Sequence, residues 1–436
     1  MFETFRNAWK VQDLRKKLLF TLFIILIFRI GSVIPVPFLD AEVVKSWMQS
    51  QGTGNILNYM DILSGGALSQ ATIFSMSITP YINAQIIIQL LTYALPPLER
   101  LQKEGETGRK RIQKITDFTG LGIALFQAVM YYITLKSASA VNYTTGFDGY
   151  FAMAVIVMSF TAGASLIVWL GNRINEKGIG NGISIILFAG IIARGPSALW
   201  KLVLLTTQDM KNIFIVPLVI IIFVLMIGFI VLMNESERRI PVQYAKRVVG
   251  RKQYGGQNTH IPIKIAMSGV MPIIFAMSFM AIPSTIGMFL KPDTTSTDWW
   301  DKFYVGFLTF FNFNSVPYAI IYFLLIIGFN YFYVSMQYNP VEIANNLRQS
   351  NGGIPGIRPG KPTSDFIQKV LSKITLVGAA FLGIIAIFPI LFNKIFPDLN
   401  IAMGGTSILI IVSVALETSR TLESQMMMRH HRGFLE

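Results

Sequence analysis

The sequence predicts an all-α membrane protein of many spans, and three observations predict it. Of 436 residues, 53% are hydrophobic and only 14% charged, where a soluble domain carries about 25% charged residues; the mean hydropathy is +0.53. Apolar runs of roughly 20 residues, the length that crosses a hydrocarbon core about 30 Å thick, recur along the whole chain. The charge that remains is lopsided, 37 Lys and Arg against 23 Asp and Glu, a net of +14. The chain has no Cys, which excludes a disulfide framework, a thiolate metal site and a cysteine nucleophile. Its His residues, His260, His430 and His431, are too few and scattered for most metal or acid–base constellations.

Taken in order, the apolar runs number ten: about 18–39, 74–95, 118–135, 151–170, 181–199, 213–233, 265–290, 316–334, 374–392 and 401–417. The first is no cleavable signal, because it is about 22 residues long and is followed by Pro35-Val36-Pro37 rather than a small-residue cleavage site. Between the first two runs lies Met60 to Ala71, moderately apolar and too short to cross a bilayer. By residue type it is either an outer amphipathic loop or a small movable stopper in a pore. The second run carries Pro80, Asn83, Gln85 and Gln89; Asn181 opens the fifth, and Pro272 lies in the seventh. Singly these polar groups and mid-span prolines read as packing and kinks; together they imply a partly wet interior. Trp299-Trp300, beside Asp298 and Asp301, fits an interfacial anchor on the outer face.

Ten spans place both termini on one side, and that side holds 28 Lys and Arg against 14 acids, a net of +14. The other side holds 8 against 9. Positive loops stay cytoplasmic, so the termini are expected in the cytoplasm. Ionisable groups within the runs are nearly absent: Arg29 is the clear exception, and Glu417 closes the last run. Two cytoplasmic loops, 234–264 and 335–373, exceed what topology needs. In the first, alternation through 240–249, then Tyr254-Gly255-Gly256, then Ile261 to Ile265 predicts a β-hairpin. In the second, Ile354 to Lys361 is dense in Gly and Pro, as in an irregular exposed loop. Such basic loops either orient the protein beside anionic lipid or dock an acidic or nucleic-acid-containing partner.

Some motifs are excluded. Gly360-Lys361 is not a phosphate loop, since positions 355 and 362 are Pro. Asn142-Tyr143-Thr144 is a formal sequon of the kind chance supplies, and Met426-Met427-Met428 is a flexible packing surface. An ion-coupled solute carrier would keep carboxylates or His along its route. An intramembrane protease would need paired Asp or a membrane His or Cys, which these runs lack.

At several of these places the sequence resembles the SecY family, the large subunits of bacterial protein-conducting channels. The resemblance runs along essentially the whole chain. It is carried by Phe28-Arg29-Ile30-Gly31-Ser32, Ile78 to Ile82 with Ile86 to Leu91, and Gly178 to Ser184. To these add the Arg238–Arg247 loop, Gly356-Ile357-Arg358-Pro359-Gly360 and Gly404-Gly405-Thr406-Ser407. The resemblance implies ten transmembrane helices in two inverted five-helix halves, about 1–200 and 201–436, around an hourglass pore with a short plug helix at about 60–71.

On the same resemblance, the pore ring falls on Ile78, Ile82, Ile183, Leu187, Ile274 and Ile410, with Leu187 where Ile is the family's expected residue. The plug falls on Ile62, Leu63, Ser64, Gly65, Gly66, Ala67 and Leu68. Asn83, Gln89 and Asn181 become polar residues of a lateral gate, which the family places between spans two and three of one half and seven and eight of the other. Arg238, Arg239, Lys246, Arg247, Arg251, Arg358 and Lys361 become docking residues for a motor or ribosome. Implied partners are SecE- and SecG-type small membrane subunits, a SecA-type ATPase, a translating ribosome, signal sequences, unfolded preproteins and the phospholipid bilayer. No cofactor, metal or catalytic residue is implied. The expected role is a passive channel of the bacterial plasma membrane, for secretion and for lateral insertion of membrane proteins.

Overall fold

A computed structural model describes residues 2–50, 61, 64–208, 212–244, 247–249, 252–254, 258–289, 299–311, 315–395 and 405–432. Ile62, Leu63, Lys246 and Arg251 lie outside the described residues. The helices, in order, are α1 (Phe2–Lys10), α2 (Gln12–Gly31), α3 (Ala41–Ser50), α4 (Thr79–Ala94), α5 (Pro96–Lys103), α6 (Glu106–Ser137), α7 (Gly146–Lys177), α8 (Gly182–Ala193), α9 (Gly195–Gln208) and α10 (Asn212–Glu235). After a region of strands follow α11 (Met271–Phe289), α12 (Trp299–Phe310), α13 (Val316–Gln337), α14 (Pro340–Gln349), α15 (Lys361–Ile395) and α16 (Gly405–Arg432).

Each predicted apolar run has helix along most of its length. Among the described residues, five stretches are long and apolar enough to cross a membrane: Glu106–Ser137, Gly146–Lys177, Phe214–Glu235, Val316–Gln349 and Lys361–Phe392. The chain is therefore a multi-pass membrane protein by length and composition. α15 has 35 residues and reaches about 50 Å at 1.5 Å per residue. Its hydrocarbon-length run, 374–392, is only its apolar part; the turns before it carry Ile367 and Leu371 into the core of the strand unit described below.

The start of the second run departs from the sequence reading. α4 begins at Thr79 rather than 74, because Ser77 adopts a left-handed φ of 51° and Pro80 then occupies the first turn. A missing N–H costs nothing there, so Pro80 starts the helix instead of kinking it. Pro272 likewise stands in the first turn of α11, and the interior prolines among the described residues are Pro217, Pro283 and Pro389. Between Ala71 and Ile78 the backbone is buried without being helical, and its polar groups find partners in the chain. Ile73 N–H donates to the Ile34 carbonyl at 3.1 Å and Val36 N–H to the Ala71 carbonyl at 2.9 Å. Irregular backbone at such depth requires this pairing.

The strand region is β1 (Glu237–Tyr244), β2 (Arg247–Val249), β3 (Lys252–Tyr254) and β4 (Asn258–Lys264), with β5 (Gly352–Gly353) arriving from the second loop. β1 and β4 are antiparallel, from Glu237 opposite Lys264 to Gln243 opposite Asn258, as the predicted hairpin requires. β5 pairs with the other edge of β1, Gln243 opposite Gly353 and Tyr244 opposite Gly352. Ile240 and Val242, two apart on β1, point into a small core with Ile263, Ala344, Leu347, Ile354, Ile367 and Leu371. The two long loops thus form one unit, which the sequence alone did not indicate.

Burial divides the helices. One hydrophobic cluster draws only on residues 36–164 and another only on 226–416. A third joins the two sets through Phe275, Ile410 and Val414, packed with Phe28, Phe74 and Ile78. A smaller one, Ala8, Leu14, Ile179 and Leu422, brings α1 to the far end of α16, where Lys17 Nζ donates to Gln425 Oε1 at 3.2 Å.

Candidate functional site

All six predicted ring residues belong to the cluster that joins the two sets of helices. Ile78, Ile82, Leu187 and Ile410 are buried; Ile183 and Ile274 are partly buried and packed against them. Ile82 lies one turn beyond Ile78, the residue that caps α4, and Ile183 and Leu187 are one turn apart on α8, so each pair shares a helix face. α8 is fixed at its start by Asn181, whose Oδ1 accepts the N–H groups of Ile183 (3.1 Å) and Ser184 (3.5 Å). Gly182 lets α8 approach α7 closely: a Cβ there would lie 2.0 Å from the Gly171 carbonyl oxygen. These six side chains carry only carbon beyond the backbone, so they offer no hydrogen bond to an ion, to water or to a peptide.

Against this cluster sits the segment predicted as a plug: Ala67 is itself a buried member. Ser64 and Leu68 are buried too. Residues 64–71 are not helical, contrary to expectation. Gly65 and Gly66 take left-handed φ values of 71° and 91°, and the chain turns. Arg29 Nη1 donates to the Gly65 carbonyl at 3.4 Å, so this intramembrane Arg points at the segment. Tyr131 Oη donates to the Leu68 carbonyl at 3.3 Å, and the Ala67 carbonyl accepts the Thr72 and Ser75 hydroxyls at 3.2 and 3.0 Å.

Sequence reasoning missed two residues here. Asp61 is buried, and its Oδ2 lies 2.6 Å from Nη2 of Arg194 at the end of α8. The signal available was one acid inside an otherwise apolar segment, with no means of finding its partner.

The polar residues assigned to a gate separate. Asn83 Oδ1 and Gln89 Oε1, both on α4, are buried oxygens without a hydrogen-bond partner. Asn181 is exposed and committed to capping α8, so its burial cannot favour a closed state, and that expectation is corrected. α11 packs against α4 and α6, and the Tyr93 and Phe332 rings meet edge-on at 5.8 Å, joining α4 to α13.

At the strand region, Arg238, Arg239, Arg358 and Lys361 are exposed. Arg239 Nε is 2.6 Å from Glu237 Oε1, an exposed pair. Arg358 stands between the left-handed Gly356 and Gly360, and its carbonyl accepts the Thr363 hydroxyl at 2.8 Å, which ties the loop to α15. Arg247 lies in β2.

Comparison with known proteins follows this geometry. A family model described as SecY matches residues 72–419. The chain is similar to the protein translocase subunit SecY of Streptomyces coelicolor, 40% identical over 444 residues and 100% of both chains. Its fold is similar to that of a SecY chain whose plug domain is described as stabilising the closed translocation channel. That match has a TM-score of 0.62 and 18% identity over 94% of this chain and 92% of the other. Sec61 from the canine ribosome–channel complex matches with a TM-score of 0.58 and 17% identity, over the same shares of each chain. With a family model over most of its length and a relative this similar across all of it, the chain belongs to the SecY family.

Proposed function

We propose that this chain is the central, pore-forming subunit of a bacterial protein translocon. It is a passive channel through which unfolded secretory proteins cross the plasma membrane and membrane segments leave sideways into lipid. The observation that carries this reading is the convergence of six aliphatic side chains, from the start of α4 and from α8, α11 and α16, in one cluster, with Ala67 of the 64–71 turn against them. A narrow ring of such side chains dewets and stops ions, yet grips no passing sequence.

Ten spans in two halves, 1–200 and 201–436, are supported by the hydrophobic clusters confined to 36–164 and to 226–416. Cytoplasmic termini are supported by the charge distribution and by α1 meeting the end of α16. The stopper is the segment at about 60–71, of which Asp61 and residues 64–71 are described. The lateral gate is the seam of α4 and α6 with α11 and α13, where Asn83 and Gln89 keep unpartnered oxygens. A segment with Leu or Ile at its centre gains a few tenths of a kcal/mol per residue on moving into lipid, while a charged residue costs about 3 kcal/mol, so partitioning sorts segments without an active site.

The sheet unit and the loop that joins it, with Arg238, Arg239, Arg358 and Lys361 exposed, are the docking face for a SecA-type ATPase and for the ribosome. SecE- and SecG-type subunits are expected along the apolar outer faces of the helices. Reconstitution of the full-length protein into vesicles with such an ATPase tests the reading: a secretory precursor is expected to be imported only with ATP. Import that is independent of this chain sinks it.

A further inference from the structure

The ion pair at the end of α8 belongs neither to the aliphatic seal nor to the docking face. The Asp61 side chain is 3% exposed and that of Arg194 is 30% exposed. The carboxylate is fully engaged: Oδ2 meets Arg194 Nη2 at 2.6 Å, and Oδ1 accepts the Ser69 N–H at 2.7 Å. The Asp61 carbonyl in turn accepts Gly66 N–H at 2.8 Å and the Ser64 hydroxyl at 3.0 Å. One residue therefore both shapes the 64–69 turn and ties it to the end of α8, the helix that carries Ile183 and Leu187. The approach is close. A Cβ on Gly65 would lie 3.1 Å from the Gly190 backbone, and one on Gly66 would lie 3.5 Å from Arg194 Nε.

Aliphatic contact between the segment and the ring is non-directional and lets the segment slide. A charge pair with one partner at one distance does not. Its strength depends on desolvation: removing either partner leaves a buried charge unpaired, and the more buried partner suffers more. When the segment leaves α8, both groups return to water and the pair ceases to act. We propose that Asp61–Arg194 is the latch that holds the 64–71 turn seated on the ring and sets how often the channel opens without a substrate. The proposal rests on the reading of that segment as the stopper.

The test uses the full-length protein in planar bilayers, with Ser64→Cys as a reporter. Ser64 is fully buried and the chain has no cysteine of its own, so thiol labelling at this position reads displacement of the segment. Arg194→Gln, which strands the buried carboxylate, is expected to raise the frequency of spontaneous openings on the order of 10²-fold. Asp61→Asn strands only the better-solvated guanidinium and is expected to raise it about tenfold. The double variant, with no charge left to strand, should open no more often than Asp61→Asn alone, and Arg194→Lys, which keeps the charge, should open less often than Arg194→Gln. Labelling of the introduced thiol should rise in step with the openings.

If neither single variant changes openings or labelling, the latch is overturned while the stopper reading stands. If labelling rises but conductance does not, the segment moves without unsealing anything, and latch and stopper reading fall together. Additive effects in the double variant would overturn the pairing as the cause. Should Arg194→Gln fail to fold, Asp61→Asn and Arg194→Lys still decide between these outcomes.

Discussion

The central ring and the strand unit of the same chain are built on opposite rules. At the proposed ring, six side chains without a polar atom gather from four helical regions, and what they share is volume and an apolar surface. Leu187 can stand where Ile is the family's expected residue because both fill the same space. At the strand unit, apolar side chains such as Ile240 and Val242 are turned inward, while Arg238, Arg239 and Arg358 are presented outward. There the positions and signs of the charges are the specification. On the function proposed, a surface that lets any sequence pass has nothing to recognise with, and one that holds a partner needs groups that others cannot match.

Breaking the docking side should produce the largest effect. Arg358→Glu places like charge against an acidic partner, which costs several kcal/mol, so ATPase-driven import should fall by about two orders of magnitude or more. Thermal unfolding should be unchanged, because the side chain is exposed. Normal import by this variant would remove the docking half of the comparison.

Next comes the ring. Ile82→Ser with Ile274→Ser puts hydroxyls where there were none and should raise resting ion conductance about tenfold, whereas Ile82→Leu should leave it unchanged. Equal conductance in all three proteins would show that the seal is made elsewhere.

A smaller effect sharpens the link between helix packing and ring. Gly182→Ala drives a methyl group into the Gly171 carbonyl, at 2.0 Å before relaxation. Overpacking of this kind costs about 1–3 kcal/mol, visible as a lowered thermal midpoint in detergent. Because α8 carries Ile183 and Leu187, some added ion leak should accompany it; a midpoint that does not move would show that the two helices separate freely.

The smallest effect belongs to the joint where the strand unit meets α10 and α16. There Arg420 Nη2 binds Glu235 Oε1 at 2.7 Å and the Asn234 carbonyl at 3.1 Å. Burial, then Arg420 nearby, holds the Lys264 ammonium below its usual 10.5, against the opposing pull of Glu235, Glu237 and Glu417. The folded protein therefore binds that proton less tightly than the unfolded chain, and stability rises with pH in the window just below 10.5. Lys264→Met should flatten the rise in thermal midpoint between neutral pH and 10.5; an unaltered slope would assign it to other groups.

Much of this was legible in residue order because the signals are local. An apolar run of hydrocarbon length becomes helix wherever it lies, and alternation through 240–249, followed by Ile261 to Ile265, already pointed to the antiparallel pair of β1 and β4. The ring residues were placed by family resemblance, and the structure puts all six into one cluster. The start of α4 was missed because a left-handed Ser77 leaves no mark in hydrophobic periodicity. β5 was missed because Gly352 and Gly353 have no side chains to alternate; Gly352 is needed where a Cβ would meet the Tyr244 ring at 2.9 Å.

By itself, then, the sequence determined the solvent of each segment: which stretches belong in hydrocarbon, which carry charge to one side, and which face of a strand or helix is apolar. These follow from composition and period, and need no knowledge of neighbours. Tertiary structure alone decided which distant groups meet. It seated Asp61 against Arg194, laid Gly352-Gly353 along β1, and spent Asn181 on a helix cap while leaving Asn83 and Gln89 unpartnered. The physical reason is that burial can be read from a residue's own chemistry, whereas a directional polar contact exists only when a second group, set by the path of the whole chain, arrives within about 3 Å.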